Sequence, residues 1–426
     1  LHAALRPLAR PFCSSDVEDD SDSKLLDGVR VLDMTRVLAG PYCTMVLGDM
    51  GADVIKIERP KIGDETRAWG PPFEQGESAY FLSVNRNKRS ITVDLKSEGG
   101  KEIMMDLVSN CDVLVENYIP GTLDRMGYGY GDLRKVNPRL IYCSLTGFGA
   151  DGPYATRPGY DVVLSAMGGL MGVTGPSEAA QVPGSPPASP VKVGVAITDV
   201  ATGLHAHGAI LAALYKRTRS GKGQRIDLSL LEVQVAALVN LASNWLVSGV
   251  DGKRWGSEHP SIVPYQAFPT SDGWIAVGAM NNVQFVRLCK GMELEQLPLD
   301  AKFETNPKRV ENRVELLKIL TDRFTEKPSA EWFAALGDVD IPFSPINRIS
   351  EVFEDPQVKH RDMIRSMDHP ENGQVKVAGF PVKYSDTPCT LVRPPPTLGQ
   401  HTDEVLHEVL GYDTSKIAEL KGKAAV

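Results

Sequence analysis

A doubly wound α/β sheet, with a smaller α/β domain attached to it, is the fold class this chain predicts. Three observations carry that reading. Short apolar runs suited to strands buried on both faces alternate with helix-period segments as far as residue 146. Residues that start and stop helices fall between those runs, and alternation of this kind implies a parallel sheet. Beyond residue 255 the pattern restarts around a tight turn, which marks a second unit.

Taken in order, Val29, Val31 and Leu32 make the first strand, over 29–34. Gly40 and Pro41 open a helix over 41–50, with the proline in the first turn where its missing N–H costs nothing, and Gly48 and Gly51 close it. Val54, Ile55 and Ile57 give the next strand, over 53–58. A strand at 90–95, a helix at 98–110 capped by Ser97, a strand at 112–117 and another at 139–146 follow. This is a Rossmann-like large domain in architecture, but no G-x-G-x-x-G follows the first strand. A nucleotide-binding, dehydrogenase-like protein therefore stays only as an alternative from another class.

The Pro-, Gly- and Ser-rich residues 175–190 predict a solvated loop, 191–198 a strand, and Asp199 the start of an Ala- and Gly-rich helix. GKGQ at 221–224 lacks the G-x-x-x-x-G-K-[ST] frame and reads as a turn into a strand. One long apolar helix is expected from Glu232 to Val247. YQAF and WIAVGAM then read as strands joined at 271–273, helices are expected at 282–291, 309–325 and 329–336, and IPFSPIN at 341–347 returns the chain toward the large domain. The predicted organisation is an arm over 1–24, the first part of the large domain over 25–230, a linker helix over 231–255, a small domain over 256–340, and a return segment over 341–426.

The formal charge of −8 argues against a nucleic-acid partner, so any anionic ligand must meet a local basic patch. No apolar run approaches the roughly 20 residues that span a bilayer, and no membrane role is expected. Six scattered cysteines without a C-x-x-C pair fit a reducing interior and no structural zinc. Residues 1–15 hold two arginines and no acid before an abruptly acidic stretch, and they resemble a mitochondrial targeting segment.

The first helix begins just after the loop at 35–39, where unpaired amides and the positive helix end attract anions, with Arg36 and Arg59 adding charge. Arg86, Lys88 and Arg89 form the densest basic cluster, read either as a solvated loop or as an aid to phosphate binding. Asp199, at the start of its helix, is both a natural cap and a candidate nucleophile. At the reference pKa near 3.9 it is already a carboxylate at neutral pH, and helix amides would hold it as the anion. His205 and His207 lie up to two turns farther along, roughly 10 Å away along the axis, too far to reach the same atom. Cys43 reads as a small core residue, His259 as a polar group able to meet the acceptor's carboxylate, and Arg157 as a cation beside Asp161.

The segment GVRVLDMTRVLAGPYCTMVLGDMGADVIKIERP at 28–60 resembles the opening of the family III CoA-transferases. VENYIPGTLDRMGY at 115–128, RPGYDVVLSAMGGLM at 157–171, VGVAITDVATGLHA at 193–206 and GKGQRIDLSLLE at 221–232 continue the resemblance in order. It implies an enzyme without a permanently bound cofactor or metal, with CoA and acyl-CoA as substrates and an interlocked homodimer as its assembly. The expected donor is a dicarboxylyl-CoA such as succinyl-CoA, and the expected acceptor a dicarboxylic acid such as glutarate. By position in the motifs, Asp199 is the implied nucleophile and Asp161 a supporting acid. Tyr160 stands where the racemase branch carries a His, and a phenol with a reference pKa near 10 is a poor proton shuttle, so an acyl-CoA racemase is the disfavoured alternative. The residues implied for CoA are Arg36, Val37, Leu38, Ala39, Arg59, Lys96, Asn117, Tyr118, Arg125 and Met126. The glycine run that closes over the site in formyl-CoA transferase is missing near His259, so no lid is expected there.

Overall fold

The computed structural model describes residues 24–74, 76–178 and 189–426. The arm expected over 1–24, except Lys24, and most of the Pro-rich loop lie outside the described residues. Six strands, β1 (Arg30–Met34), β2 (Asp53–Glu58), β3 (Lys88–Thr92), β4 (Val113–Glu116), β5 (Ile141–Thr146) and β6 (Arg225–Ser229), form one parallel sheet in the order β3-β2-β1-β4-β5-β6. That order reverses between β1 and β4, and a doubly wound sheet opens its ligand crevice at such a reversal, beyond the strand C-termini.

Alternation along the strands explains why both faces are covered. Leu32, Met34, Ile55, Ile57 and Leu114 face one way, onto Ile103 and Leu107 of α2 (Glu98–Ser109) and onto Leu406 and Leu420 of the two C-terminal helices. Val31, Val54, Val113 and Val115 face the other way, onto Cys43 and Leu47 of α1 (Ala39–Asp49) and onto Ala206, Ile210 and Ala213 of the helix Ile197–Ser220. Cys43 is fully buried and its thiol is pushed up by burial, as befits a packing residue.

Three expectations are corrected. β3 starts two residues before the predicted strand because Lys88 and Arg89 are buried strand residues, paired with Asp33 at 3.0 Å and Asp53 at 2.6 Å. Arg86 likewise binds Asp49 at 2.7 Å, so this cluster is neither a solvated loop nor a phosphate patch. Residues 191–196 form no strand, because the place beside β5 is taken by β6. The predicted long apolar helix is two, α5 (Leu230–Ala236) and α6 (Asn240–Ser248), bent by 75° at a break where Val239 takes a φ of 45°. Among the described residues no single helix is long and apolar enough to cross a membrane.

The smaller sheet is antiparallel, with β7 (Tyr265–Pro269), β8 (Trp274–Gly278) and β9 (Phe343–Pro345) in the order β9-β8-β7. Residues 341–347 thus complete this sheet before the chain turns back. Its own core stacks Phe268 on Phe324 at 4.9 Å and sets Trp332 edge-on to Phe324. The predicted helix at 309–325 divides into Asn306–Glu311 and Arg313–Phe324. The chain then runs back along the large domain, where the Asn87 side chain binds the backbone of Thr390, Val392 and Arg393.

Candidate active site

The loop that leaves β1 is held from three sides. Asn117, just past β4, accepts from the Arg36 N–H at 3.0 Å and donates back to its carbonyl at 2.7 Å, bridging the point where strand order reverses. Asp64 accepts from the Val37 N–H at 3.2 Å, and the buried Lys56 donates to the Thr35 carbonyl at 2.8 Å and to Asp64 at 3.0 Å. This bracing matters because Val37 sits at a φ of 72°, a left-handed conformation that costs a β-branched residue on the order of 1–3 kcal/mol. The loop ends in α1, whose N-cap Leu38 offers no side-chain cap, so its first amides stand open to a ligand.

The helix carrying Asp199, here α4 (Ile197–Ser220), is brought to this loop by a missing side chain. A Cβ at Gly203 would fall 2.6 Å from the Ala39 carbonyl oxygen, so only glycine lets α4 lie this close to α1. A second contact of this kind, Gly159 against Gly147, seats the segment that begins α3 (Asp161–Met167) against the end of β5. Asp161 then accepts from the backbone N–H of Thr198 at 2.8 Å and of Asp199 at 3.2 Å. It caps α4 from a different helix.

This changes the expected electrostatics of Asp199. The α4 amides counted on to hold its anion are occupied by Asp161, and no described residue hydrogen-bonds the Asp199 carboxylate. Burial first, and the Asp161 charge second, push its pKa up to about 7. Burial first, and then the Asp199 and Asp161 charges, push the Tyr80 hydroxyl up to about 12, and Tyr80 packs in the cluster of Leu38, Met45 and Val200. Tyr80 also packs edge-on against Trp69, 5.7 Å away. Neither aromatic was singled out from sequence; the signal available was two aromatics flanking the Pro-Pro turn after β2.

Asp199 opens onto a cleft of about 220 Å³ lined by residues 36–39 after β1, 117–120 after β4, 145–147 at the end of β5 and 157–160, with Trp69 and Glu65. Of the predicted site residues this brings together Asp199, Tyr160, Arg36, Val37, Leu38, Ala39, Asn117 and Tyr118. A second cavity of about 620 Å³ adjoins it, lined by Arg59, Lys61, Lys96 and Met126. Arg36, Glu65 and Tyr118 belong to both walls. There Arg36 pairs with Glu65 and lies over the Tyr118 ring, 5.1 Å from its centroid. Arg125 lines neither cavity, its guanidinium reaching back to Thr122 at 3.3 Å. His205 and His207 bond carbonyls of their own helix. His259 also lies off the cleft, closing a turn on Ser261 and packing against Tyr265.

Two adjoining cavities at a sheet's switch point, one carrying Arg59, Lys61 and Lys96 among acidic neighbours and one onto which a desolvated carboxylate opens, suit a long anionic substrate whose reactive end reaches an acid. Comparison with known proteins agrees. The family model for CoA-transferase family III matches residues 26–402. Succinyl-CoA:glutarate CoA-transferase of Mus musculus is 52% identical over 404 residues, covering 95% of this chain and 91% of the mouse protein. The Homo sapiens protein of the same name is 50% identical over 96% of this chain and 91% of its own length. A crystal structure of a CAIB/BAIF family protein from Brucella suis superposes with a TM-score of 0.82 at 42% identity, covering 91% of this chain and 99% of that one. With the fold and the sequence in agreement along nearly the whole length, the chain belongs to CoA-transferase family III and is a CoA-transferase.

Proposed function

We propose that this enzyme moves CoA from succinyl-CoA to glutarate, with Asp199 as the covalent relay. The observation that carries the reading is the placement of Asp199: half-buried, with no ion pair among the described residues, in a cleft sharing its wall with a cavity of about 620 Å³ that carries Arg59, Lys61 and Lys96. The substrates named for the mouse and human relatives support the choice of acids.

In the reaction, an Asp199 carboxylate oxygen attacks the thioester carbon of the donor and expels CoA thiolate, leaving an aspartyl–acyl anhydride. The thiolate attacks the Asp199 carbonyl carbon of that anhydride, frees the donor acid and leaves an aspartyl-CoA thioester. The acceptor carboxylate then attacks this thioester, expelling the thiolate and forming a second anhydride. Attack of the thiolate on the acceptor's acyl carbon releases the new acyl-CoA and restores the carboxylate. Each step trades one activated acyl bond for another, so no other energy source enters. Desolvation raises the nucleophilicity of Asp199 and keeps part of it protonated at neutral pH. The open amides at the start of α1 are suited to the oxyanion formed at each attack. Asp161 positions α4, and Tyr160, exposed at the rim, faces the substrate.

Arg59 and Lys96 are suited to the CoA phosphates, with Tyr118 and Met126 offering apolar surface to the rest of the cofactor. A second copy of the chain is the proposed partner of the exposed Trp245, Leu246 and Val247 on α6, where Leu246 is 80% and Val247 86% exposed. The Arg-containing, acid-free residues 1–15 support a mitochondrial location. The assignment is tested by incubating the protein with succinyl-CoA and glutarate and following acyl-CoA species by mass spectrometry. Glutaryl-CoA rising in step with succinate is the expected result; hydrolysis alone, or no dependence on glutarate, refutes it.

A further inference from the structure

A dicarboxylic acid brings two carboxylates to the cleft, one that reacts and one that does not, and the idle one needs a cation. The reacting end must approach Asp199, itself an acid with Asp161 behind it, so a dianion meets repulsion unless its far end is paired. Two arginines line the cleft. Arg36 is committed: its guanidinium pairs with Glu65 and lies over Tyr118, and its backbone is clasped by Asn117. Arg157 makes neither an ion pair nor a side-chain hydrogen bond among the described residues. Its backbone is pinned by an N–H to the Tyr154 carbonyl at 2.9 Å, and its guanidinium lies over the Tyr154 ring, 4.4 Å from the centroid. Tyr154 is held in turn by Phe148, edge-on at 5.8 Å.

This arrangement fixes where the charge stands while leaving its donors open to the cleft. Stacking uses the flat face of a guanidinium, and its edge then remains available for a two-toothed grip on a carboxylate. We propose that Arg157 is the specificity-determining residue that anchors the non-reacting carboxylate of both the dicarboxylyl-CoA donor and the dicarboxylic acid acceptor. It thereby selects four- and five-carbon diacids over monoacids of the same length. The inference rests on the dicarboxylate reading of the cleft.

The test compares kcat/KM for glutarate and for pentanoate, its monoacid counterpart, in the wild type, R157M and R157K. Where turnover of the monoacid is below detection, its inhibition constant against glutarate takes the place of kcat/KM. The glutarate-to-pentanoate ratio is expected to fall ten- to a hundredfold in R157M, chiefly through KM, with R157K intermediate because it keeps the charge and loses the fork. The corresponding ratio for succinyl-CoA over butyryl-CoA as donor falls in parallel. Equal losses on diacid and monoacid, or an unchanged ratio in both variants, overturn the proposal. A wild-type enzyme that gives no glutaryl-CoA at all refutes instead the dicarboxylate reading beneath it, so the two failures are told apart.

Discussion

Asp33 and Asp199 are both aspartates withdrawn from water in the same domain, and they have opposite characters. Asp33, fully buried on β1, meets Lys88 at 3.0 Å and accepts from Thr44 at 2.7 Å and from the Thr35 N–H at 2.9 Å. Burial works to raise its pKa, but Lys88 and Lys56 together with the hydrogen bonds from Thr35 and Thr44 outweigh burial and hold it below the ordinary carboxylate range. Asp199, only partly buried, has another aspartate for its neighbour, and burial first and that charge second push its pKa up to about 7. Burial alone therefore does not make a carboxylate reactive; the sign of what surrounds it does.

The comparison is broken most sharply by removing each charge in turn. Asp199→Asn should lower transferase turnover by at least ~10³-fold, because an amide cannot supply the attacking oxygen, while the protein stays folded. Turnover within tenfold of wild type would dissolve the distinction. Lys88→Met should instead act on stability, leaving Asp33 buried with only Lys56 near it at a cost of about 3–5 kcal/mol. Thermal unfolding reads this directly, and an unshifted midpoint would mean that the pair contributes nothing.

A subtler change sharpens the comparison. Asp199 attacks as the anion, so kcat/KM should rise as pH increases through about 7 and level off above it. Asp161→Asn keeps an oxygen to cap Thr198 and Asp199 but removes the second cause of the raised pKa. Its limb should move to lower pH by roughly one unit, or about 1.4 kcal/mol of interaction. A limb that stays in place would show that burial alone sets it.

Much of this was legible in the chain, and the unreadable parts share a cause. The parallel sheet and the start of the helix after β1 follow from apolar runs and from Gly40 and Pro41, which are local signals. Lys88 was not legible as a strand residue, nor Lys56 as a buried one, because a lysine reads as solvated until its carboxylate partner is located, and Asp33 lies 55 residues from Lys88. The strand expected at 191–198 failed for the mirror reason: its residues suit a strand, but the place beside β5 goes to β6, which comes later in the chain. Around Asp199 the residue was readable and its environment was not. Only the folded chain shows that Asp161, 38 residues earlier, takes the helix amides for itself, or that Tyr80 and Trp69 close in from the segment after β2.

The central claim is that Asp199 itself becomes the carrier of CoA. The direct measurement is to incubate the enzyme with succinyl-CoA in the absence of acceptor, reduce with borohydride, digest, and map the modified peptide by mass spectrometry. The account predicts reduction of one side chain, Asp199, dependent on succinyl-CoA and absent from the Asp199→Asn variant. Modification at another residue, or turnover without any reducible acyl-enzyme, would contradict it.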